Sequence, residues 1–369
     1  MWVGGKIMPD NDKTIFSYLN PTCNEMLSKV SSEDLEDLLL VLDRYYLEYR
    51  DSLGLSNNDT FGIEIEMEHF DLLGFSRVNY GIIYKELREL VGSNRWDSRN
   101  DITLVEGREI VSEILTDDVK FWKMIKDVCE YSNTRAKIDI HCSSHVHAGA
   151  QILGENTLYW YRFFRLWSIY ENVIYRFCYG EYLTHRPNIL EYARPCAGFY
   201  DTRLKLLDDR LDYRLIEMLN ILEPKRMPDR YTKKMGVSYW RMLADDHYEL
   251  YEDFNKLNDG CTVEFRAANG TFDFVIWQNL INFFIKMIVY CKSDKFDDDI
   301  LNRRKIEVEG IFDKLEEYSQ IYLDQAIELC DMIFDNNLDK IYFLRQYLKS
   351  FEVVDKPFTR AKKFTTTRM

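Results

Sequence analysis

Between Phe61 and Glu68 apolar and acidic residues take turns, with Ile63, Ile65 and Met67 alternating with Glu64, Glu66 and Glu68. A period of two is the period of a strand, so the pattern predicts one over residues 60–70, with the three glutamates on one face and the apolar residues on the other. Similar alternation predicts strands over 107–112, where Glu109 and Ile110 take opposite faces, over 137–142 and 145–150, and over 261–267. Elsewhere the period lengthens to that of a helix. Ser32-Glu33-Asp34 followed by Leu35, Leu38, Leu39, Leu42, Tyr45 and Tyr46 predicts a helix ending near Gly54, then a polar turn over 55–59. Ile82, Ile83, Leu87 and Leu90 make a stripe over 80–90 that stops at Gly92-Ser93-Asn94. Thr116-Asp117-Asp118 caps a helix to about residue 131, and an aromatic-rich helix over 156–179 closes at Gly180. The stripe Tyr159, Phe163, Leu166, Tyr170 and Val173 on that helix has the spacing of core. Another helix opens near Phe272 or Asp273, and the chain after 292 reads as wholly helical, with periodic runs over 306–315, 321–334 and 338–348. A polar, basic tail over 357–369 is expected to fray.

Composition narrows the field of functions. The chain has 369 residues, 46% of them hydrophobic, enough for one large domain or two modest ones with a substantial core. A formal net charge of −14, spread along the chain, argues against a nucleic-acid duplex or an anionic membrane as principal partner. Eight scattered cysteines without a CxxC pair, and no secretory signal in the first residues, predict reduced thiols and a cytoplasmic protein. The apolar stretch 272–290 includes Asp273, Gln278, Asn279, Asn282 and Lys286, so it reads as a buried helix and not a bilayer span. Tyrosines and phenylalanines in the C-terminal helices could pair subunits in a homo-oligomer or simply close the domain.

Three of the predicted strands carry metal-competent side chains at every second position: Glu64, Glu66 and Glu68 on the first, His145 and His147 on another, Glu264 and Arg266 on the last. Each has an ordinary reading: an acidic face turned to water, a structural histidine pair, a cross-strand salt-bridge ladder. Taken together they suit a hard divalent cation, which wants several oxygen ligands from separate strands, supplied here by Glu64, Glu66, Glu109 and Glu264. A histidine beside the cation can ligate it or donate to a phosphoryl oxygen, and the planar fork of Arg266 can pair with a phosphoryl group in transfer. That combination favours phosphoryl transfer from a metal-bound nucleotide; with no Walker sequence and no kinase loop, the nucleotide would rest on the sheet itself.

The strings Phe61-Gly62-Ile63-Glu64-Ile65-Glu66, Asp101-Ile102-Thr103-Leu104 after Trp96, Gly107-Arg108-Glu109-Ile110-Val111-Ser112, Cys142 to Gly149 and Thr262-Val263-Glu264-Phe265-Arg266 resemble, in order and alternation, the amidoligase family. Its members are carboxylate–amine ligases related to glutamate–cysteine ligase and glutamine synthetase, and the resemblance covers roughly residues 60–290. It implies an α+β fold with a curved antiparallel sheet of the glutamine synthetase catalytic type, flanked by helices, with ATP and magnesium, or manganese, on its concave face. By the same resemblance Glu64, Glu66, Glu109, His147 and Glu264 would be metal ligands, and His147 and Arg194 would face the nucleotide phosphates. His145 would be the companion of His147, Arg266 would steady the phosphoryl group, and Asp101 would contact substrate or amine. The implied reaction activates a carboxylate as an acyl phosphate and lets an amine displace the phosphate, with small-molecule or peptide substrates. Asp101 and Glu68 are both candidates to take the proton of the amine, and Glu68 could equally be an acid of the solvent face. The departures are Ile102-Thr103 in place of Gly-Ser, Ser143 in place of Gly, and Glu113 in place of Pro; none removes a charge the chemistry needs.

On this reading residues 1–58 form a helical N-terminal segment, 59–293 the catalytic domain, 294–356 a helical extension packed on it, and 357–369 a flexible tail. The alternative is zinc. His141, Cys142, His145 and His147 lie close together, as a zinc-dependent hydrolase or zinc-binding protein would need, although only His145 and His147 clearly share a face.

Overall fold

The computed structural model describes residues 2–3, 6–7, 47–69, 80–207, 213–223, 231–243 and 260–349. It is α+β. Six strands form one sheet: β1 (Phe61–Met67), β2 (Asp97–Asp101), β3 (Gly107–Val111), β4 (Ser143–Gly149), β5 (Val237–Ser238) and β6 (Thr262–Asn269). Their order across the sheet is β2-β3-β1-β4-β6-β5 and every pairing is antiparallel. In the register, Glu64 lies opposite His145, Glu66 opposite Glu109, Arg99 opposite Glu109 and His147 opposite Glu264. Residues directly opposite in an antiparallel pair point to the same side, so these seven form one polar surface.

The other face is dry. Ile63, Ile65, Met67, Ile110, Val146, Val263 and Phe265 are buried there. They pack on the helices α3 (Thr157–Cys178) and α7 (Phe274–Lys292), with α1 (Tyr80–Val91) and α2 (Val119–Asn133) toward the β2 side. Phe265 stacks on Phe284 of α7 at 3.9 Å between ring centres and meets Trp167 of α3 at 5.8 Å, while Phe61 stacks on Trp122 of α2 at 5.2 Å. Side-chain caps start these helices: Asp118, Asn156 and Asp273 each accept from a backbone N–H in the first turn. Gly180, at φ +60, turns the chain after α3 in the left-handed conformation that suits glycine. The helix α7 is long and apolar enough to cross a membrane, yet 83% of its apolar window is buried inside the protein.

Short helices α4 (Ile189–Tyr192), α5 (Ala197–Leu204) and α6 (Leu215–Leu222) follow α3, and α8 (Asp298–Val308), α9 (Leu323–Ile333) and α10 (Asn337–Leu348) follow α7. The last helices join the main core: Phe343 of α10 stacks on Phe177 of α3 at 4.6 Å and lies 5.0 Å from Phe283 of α7. A single cluster of buried apolar side chains runs from Leu47 to Leu348. It takes in six cysteines, Cys129, Cys178, Cys196, Cys261, Cys291 and Cys330; these and Cys142, also buried, have free thiols.

The elements depart from the periodic reading in four places. Residues 47–54 carry no helix and Trp2–Val3 pairs with Lys6–Ile7 as a short ribbon, so the described part of the N-terminal segment is not helical; 8–46, like the tail 357–369, lies outside the described residues. Residues 137–142 make a single bridge, from Lys137 to Glu68, before the chain turns, the N–H of Cys142 donating to the Asp139 carbonyl at 3.1 Å. After α8 the chain breaks into two 3-10 turns, Glu309–Ile311 and Leu315–Ser319, around Asp313 at φ +58, so the C-terminal part is not wholly helical. Finally β2 and β5 add two strands that no alternation of apolar with polar residues announced.

Candidate active site

The polar face of the sheet is the floor of a cavity of about 730 Å3. Glu64, at its centre, takes most of the contacts. One oxygen is 3.0 Å from Nδ1 of His145; the other is 3.0 Å from Nε2 of His147 and accepts from Arg241 at 3.0 Å. Glu264 pairs with Arg266 two residues on and lies 3.5 Å from Nδ1 of His145. Glu66 accepts from the backbone N–H of Ser143 at 2.7 Å, and the hydroxyl of Ser143 is 2.8 Å from Nε2 of His145. A break in register between β4 and β6 beside His145 shifts Arg266 relative to its row, and its Nε donates to the Tyr192 carbonyl at 3.1 Å.

Burying so many carboxylates together is costly unless opposite charge is close. Burial works to raise Glu64, but the rings of His147 and His145 outweigh it and hold this carboxyl well below the ordinary range. Glu264 is likewise lowered against its burial, by Arg266 first and then the two histidines. Glu109 moves the other way: burial, then the charge of Glu64 and its hydrogen bond, then the charge of Glu66, push it up to about 9. The acids therefore sit crowded, and a cation among them would relieve that crowding.

Two sets of three side chains bring ligand atoms within 4.8 Å of one another here, Glu64 with His147 and Glu264, and Glu64 with Glu109 and His145. They share Glu64, so they describe two adjoining positions bridged by one carboxylate. The donors are mostly carboxylate oxygen with one imidazole each, a set suited to magnesium or manganese. The Nε2 atom of His147 is buried and makes no hydrogen bond even though Glu64 is near, as fits a nitrogen aimed at a metal. A third set, Glu68, His69 and Asp139, lies off the cavity with His69 exposed.

The walls are basic. Arg99 on β2, Arg186 from the loop after α3, Tyr192 at the end of α4, Lys233 and Lys234 from the 3-10 turn Tyr231–Lys234, and Trp240 and Arg241 beside β5 line the cavity. Arg186 is fixed by donating to the carbonyls of Arg266, at 2.9 Å, and Ala268, at 2.7 Å, and burial lowers it to about 10. Lys233 rides 5.0 Å above the Trp240 ring.

Of the residues singled out in the sequence, Glu64, Glu66, Asp101, Glu109, His145, Glu264 and Arg266 all line this cavity, whereas His147, 3.0 Å from Glu64, lines a smaller one. Asp101 holds the start of the β2–β3 turn, accepting from the N–H of Thr103 at 2.8 Å and its hydroxyl at 2.6 Å. Arg194 does not reach the wall. Its backbone pairs with the segment Lys234–Gly236, which brings Lys233 and Lys234 to the cavity where Arg194 was expected. Glu68 is not an acid of the solvent face: β1 ends at Met67, His69 turns at φ +52, and the Glu68 carboxylate is buried, accepting from the N–H of Val105 at 3.1 Å. His141 sits on the rim, 3.9 Å from Glu68, and the Cys142 thiol is buried and pushed up by burial, so neither joins a set with His145 and His147. Among the described residues every candidate set holds a single histidine.

The sequence reading missed Arg99, Lys233, Lys234, Trp240 and Arg241. Arg99 carried a signal, since Asp97, Arg99 and Asp101 alternate with Ser98 and Asn100; the others come from turns with no periodicity. No protein-family model matches the chain, and no curated protein does.

Proposed function

We propose that the protein is an ATP-dependent carboxylate–amine ligase of the amidoligase kind, its sheet the counterpart of the glutamine synthetase catalytic sheet. The observation that carries this reading is the pair of adjoining cation positions bridged by Glu64 at the floor of a cavity whose walls are cationic. Acids that hold metal below and fixed positive charge above are what transfer of a phosphoryl group requires. Magnesium held by Glu64, Glu66, Glu109, His147 and Glu264 would supply positive charge against the phosphates of ATP.

The remaining steps belong to side chains of this chain. Arg266, whose charge is reinforced by Glu264, Glu66 and Glu64 despite its burial, would steady the phosphoryl group through its planar fork. Lys233 and Lys234 would hold the nucleotide phosphates in the place first expected of Arg194, while Arg241 is held by Glu64 at 3.0 Å. His145, held between Ser143 and Glu64, would keep the floor in one arrangement as charge moves above it. Asp101, on the cavity edge, is the better placed of the two candidates to take the amine proton, because Glu68 lies off the cavity. The products would be an amide, ADP and phosphate.

The test is ADP release from magnesium-ATP with pooled carboxylates and amines, in wild type, Glu66→Ala and Arg266→Ala. We expect turnover in wild type and a loss of about 100-fold or more in each variant, the scale of removing one electrostatic contact to a transition state. Equal release from all three folded proteins would overturn the reading. The zinc reading draws less support because the histidines fall into separate sets, and tight stoichiometric zinc in the purified protein would reverse that order.

A further inference from the structure

A second cavity, of about 190 Å3, opens at the other end of the same sheet. It is lined from the first residues of β1 and β6 and the last of β3 and β4, whereas the larger cavity takes Glu66, Asp101, Ser143 and Arg266 from the opposite ends of their strands. The two share Glu64 and Arg241, so the metal floor is reached from both sides.

Their charges differ. The larger cavity has six arginines and lysines on its wall; the smaller has Arg241 alone, and that guanidinium is committed to Glu64 at 3.0 Å. What remains in the smaller one is the half-buried carboxylate Glu113, the imidazole of His147, the hydroxyls of Thr60, Ser112 and Thr262, and an apolar lining. The backbone that carries Glu113 is anchored, because the Ser112 hydroxyl accepts from the N–H of Ile63 at 2.9 Å and donates to the Glu113 carbonyl at 2.8 Å. Gly62 belongs to the same row as Glu64, and a Cβ there would meet only ordinary contacts, Ser112 at 3.5 Å and His147 at 3.8 Å. Packing does not demand glycine at this position. The missing side chain leaves the space beside Glu113 open.

We infer that the smaller cavity is the subsite for a cationic amine, with Glu113 as the residue that selects it. This deepens the ligase reading and rests on it for the use the amine is put to: anionic reactants are drawn to the basic end of the sheet and the ammonium group to the acidic end, with Glu64 between them, so that Glu113, in place of Asp101 at the opposite end, is the acid beside the amine proton. A carboxylate in a partly desolvated cleft discriminates an ammonium ion from a neutral group of the same shape by charge and by hydrogen bonding.

The experiment is calorimetric titration of n-butylamine, 1,4-diaminobutane and the neutral control n-butanol into the whole protein at neutral pH. It is run first without nucleotide, then with magnesium and the non-hydrolysable imido analogue of ATP. At least one amine is expected to bind wild type, to weaken tenfold or more in Glu113→Gln, and to bind better than butanol. Gly62→Val, which fills the space without changing charge, is expected to abolish amine binding as well, and thermal melts verify that both variants fold. The inference is overturned if neither amine binds, if Glu113→Gln binds them as wild type does, or if butanol binds equally. Failure of the magnesium nucleotide to bind, with Glu113-dependent amine binding intact, would remove the ligase reading and leave the subsite standing.

Discussion

Glu171 is a buried acid on the far side of the sheet from the cavity. It takes hydrogen bonds from the Trp167 indole at 2.8 Å, the N–H groups of Cys196 and Ala197 at 2.8 and 3.0 Å, and the Tyr318 hydroxyl at 2.8 Å. Those donors favour the charged form, but burial and then Asp313 outweigh them and raise the carboxyl to about 7 from the ordinary 4.5. Between these values the folded protein binds the proton more tightly than the unfolded chain. Its contribution to stability is therefore greatest below the unfolded value and is lost as pH rises through the window to about 7, a swing of about 3 kcal/mol at most. Urea denaturation from pH 4.5 to 7.5 should show wild type losing stability relative to Glu171→Gln across that interval; parallel curves would refute the assignment.

Single elements make sharper tests. A Cβ on Gly236 would fall 2.0 Å from the Tyr175 hydroxyl and 2.8 Å from the ring carbon that bears it, so the strand β5 can lie beside β6 only if this position has no side chain. Gly236→Ala should cost about 1–3 kcal/mol by overpacking. Tyr175→Phe in the same chain should recover part of that, which a double-mutant cycle would read as coupling. Asp273→Ala removes the cap of α7, bonded to Val275 at 2.9 Å, and should cost about 1 kcal/mol in the same denaturation assay. Phe284→Ala removes the ring stacked on Phe265 and should cost about 3–5 kcal/mol. The elements read most directly from sequence are those whose apolar faces meet a neighbour: β1, β4 and β6 show their period because one face is core, and α3 and α7 because their caps and stripes coincide. The strand β2, Asp-Ser-Arg-Asn-Asp, has no apolar face to announce it, and β5 is two residues long. The acidic floor was legible for the same reason as the strands that carry it. The basic wall was not, since Lys233, Lys234 and Arg241 reach the cavity through long-range pairing of turns, a property of the folded chain and not of any local window.

At the scale of the whole molecule the described residues from Leu47 to Leu348 share one core. The helices after 293 bury Phe343 between Phe177 and Phe283, and Asp339 of α10 holds Lys286 of α7 at 2.6 Å. Ending the chain at residue 293 would expose these rings and leave Lys286 without that partner. We expect such a truncation not to fold, and the full chain to unfold by calorimetry in a single transition; a stable 1–293 fragment would contradict this. The seven buried thiols among the described residues have a practical corollary. Alkylating reagents attack the thiolate at a solvent-reached sulfur, so these cysteines should stay unmodified by iodoacetamide until the chain opens. Mass spectrometry of alkylated peptides would then record, cysteine by cysteine, which parts of the molecule loosen first.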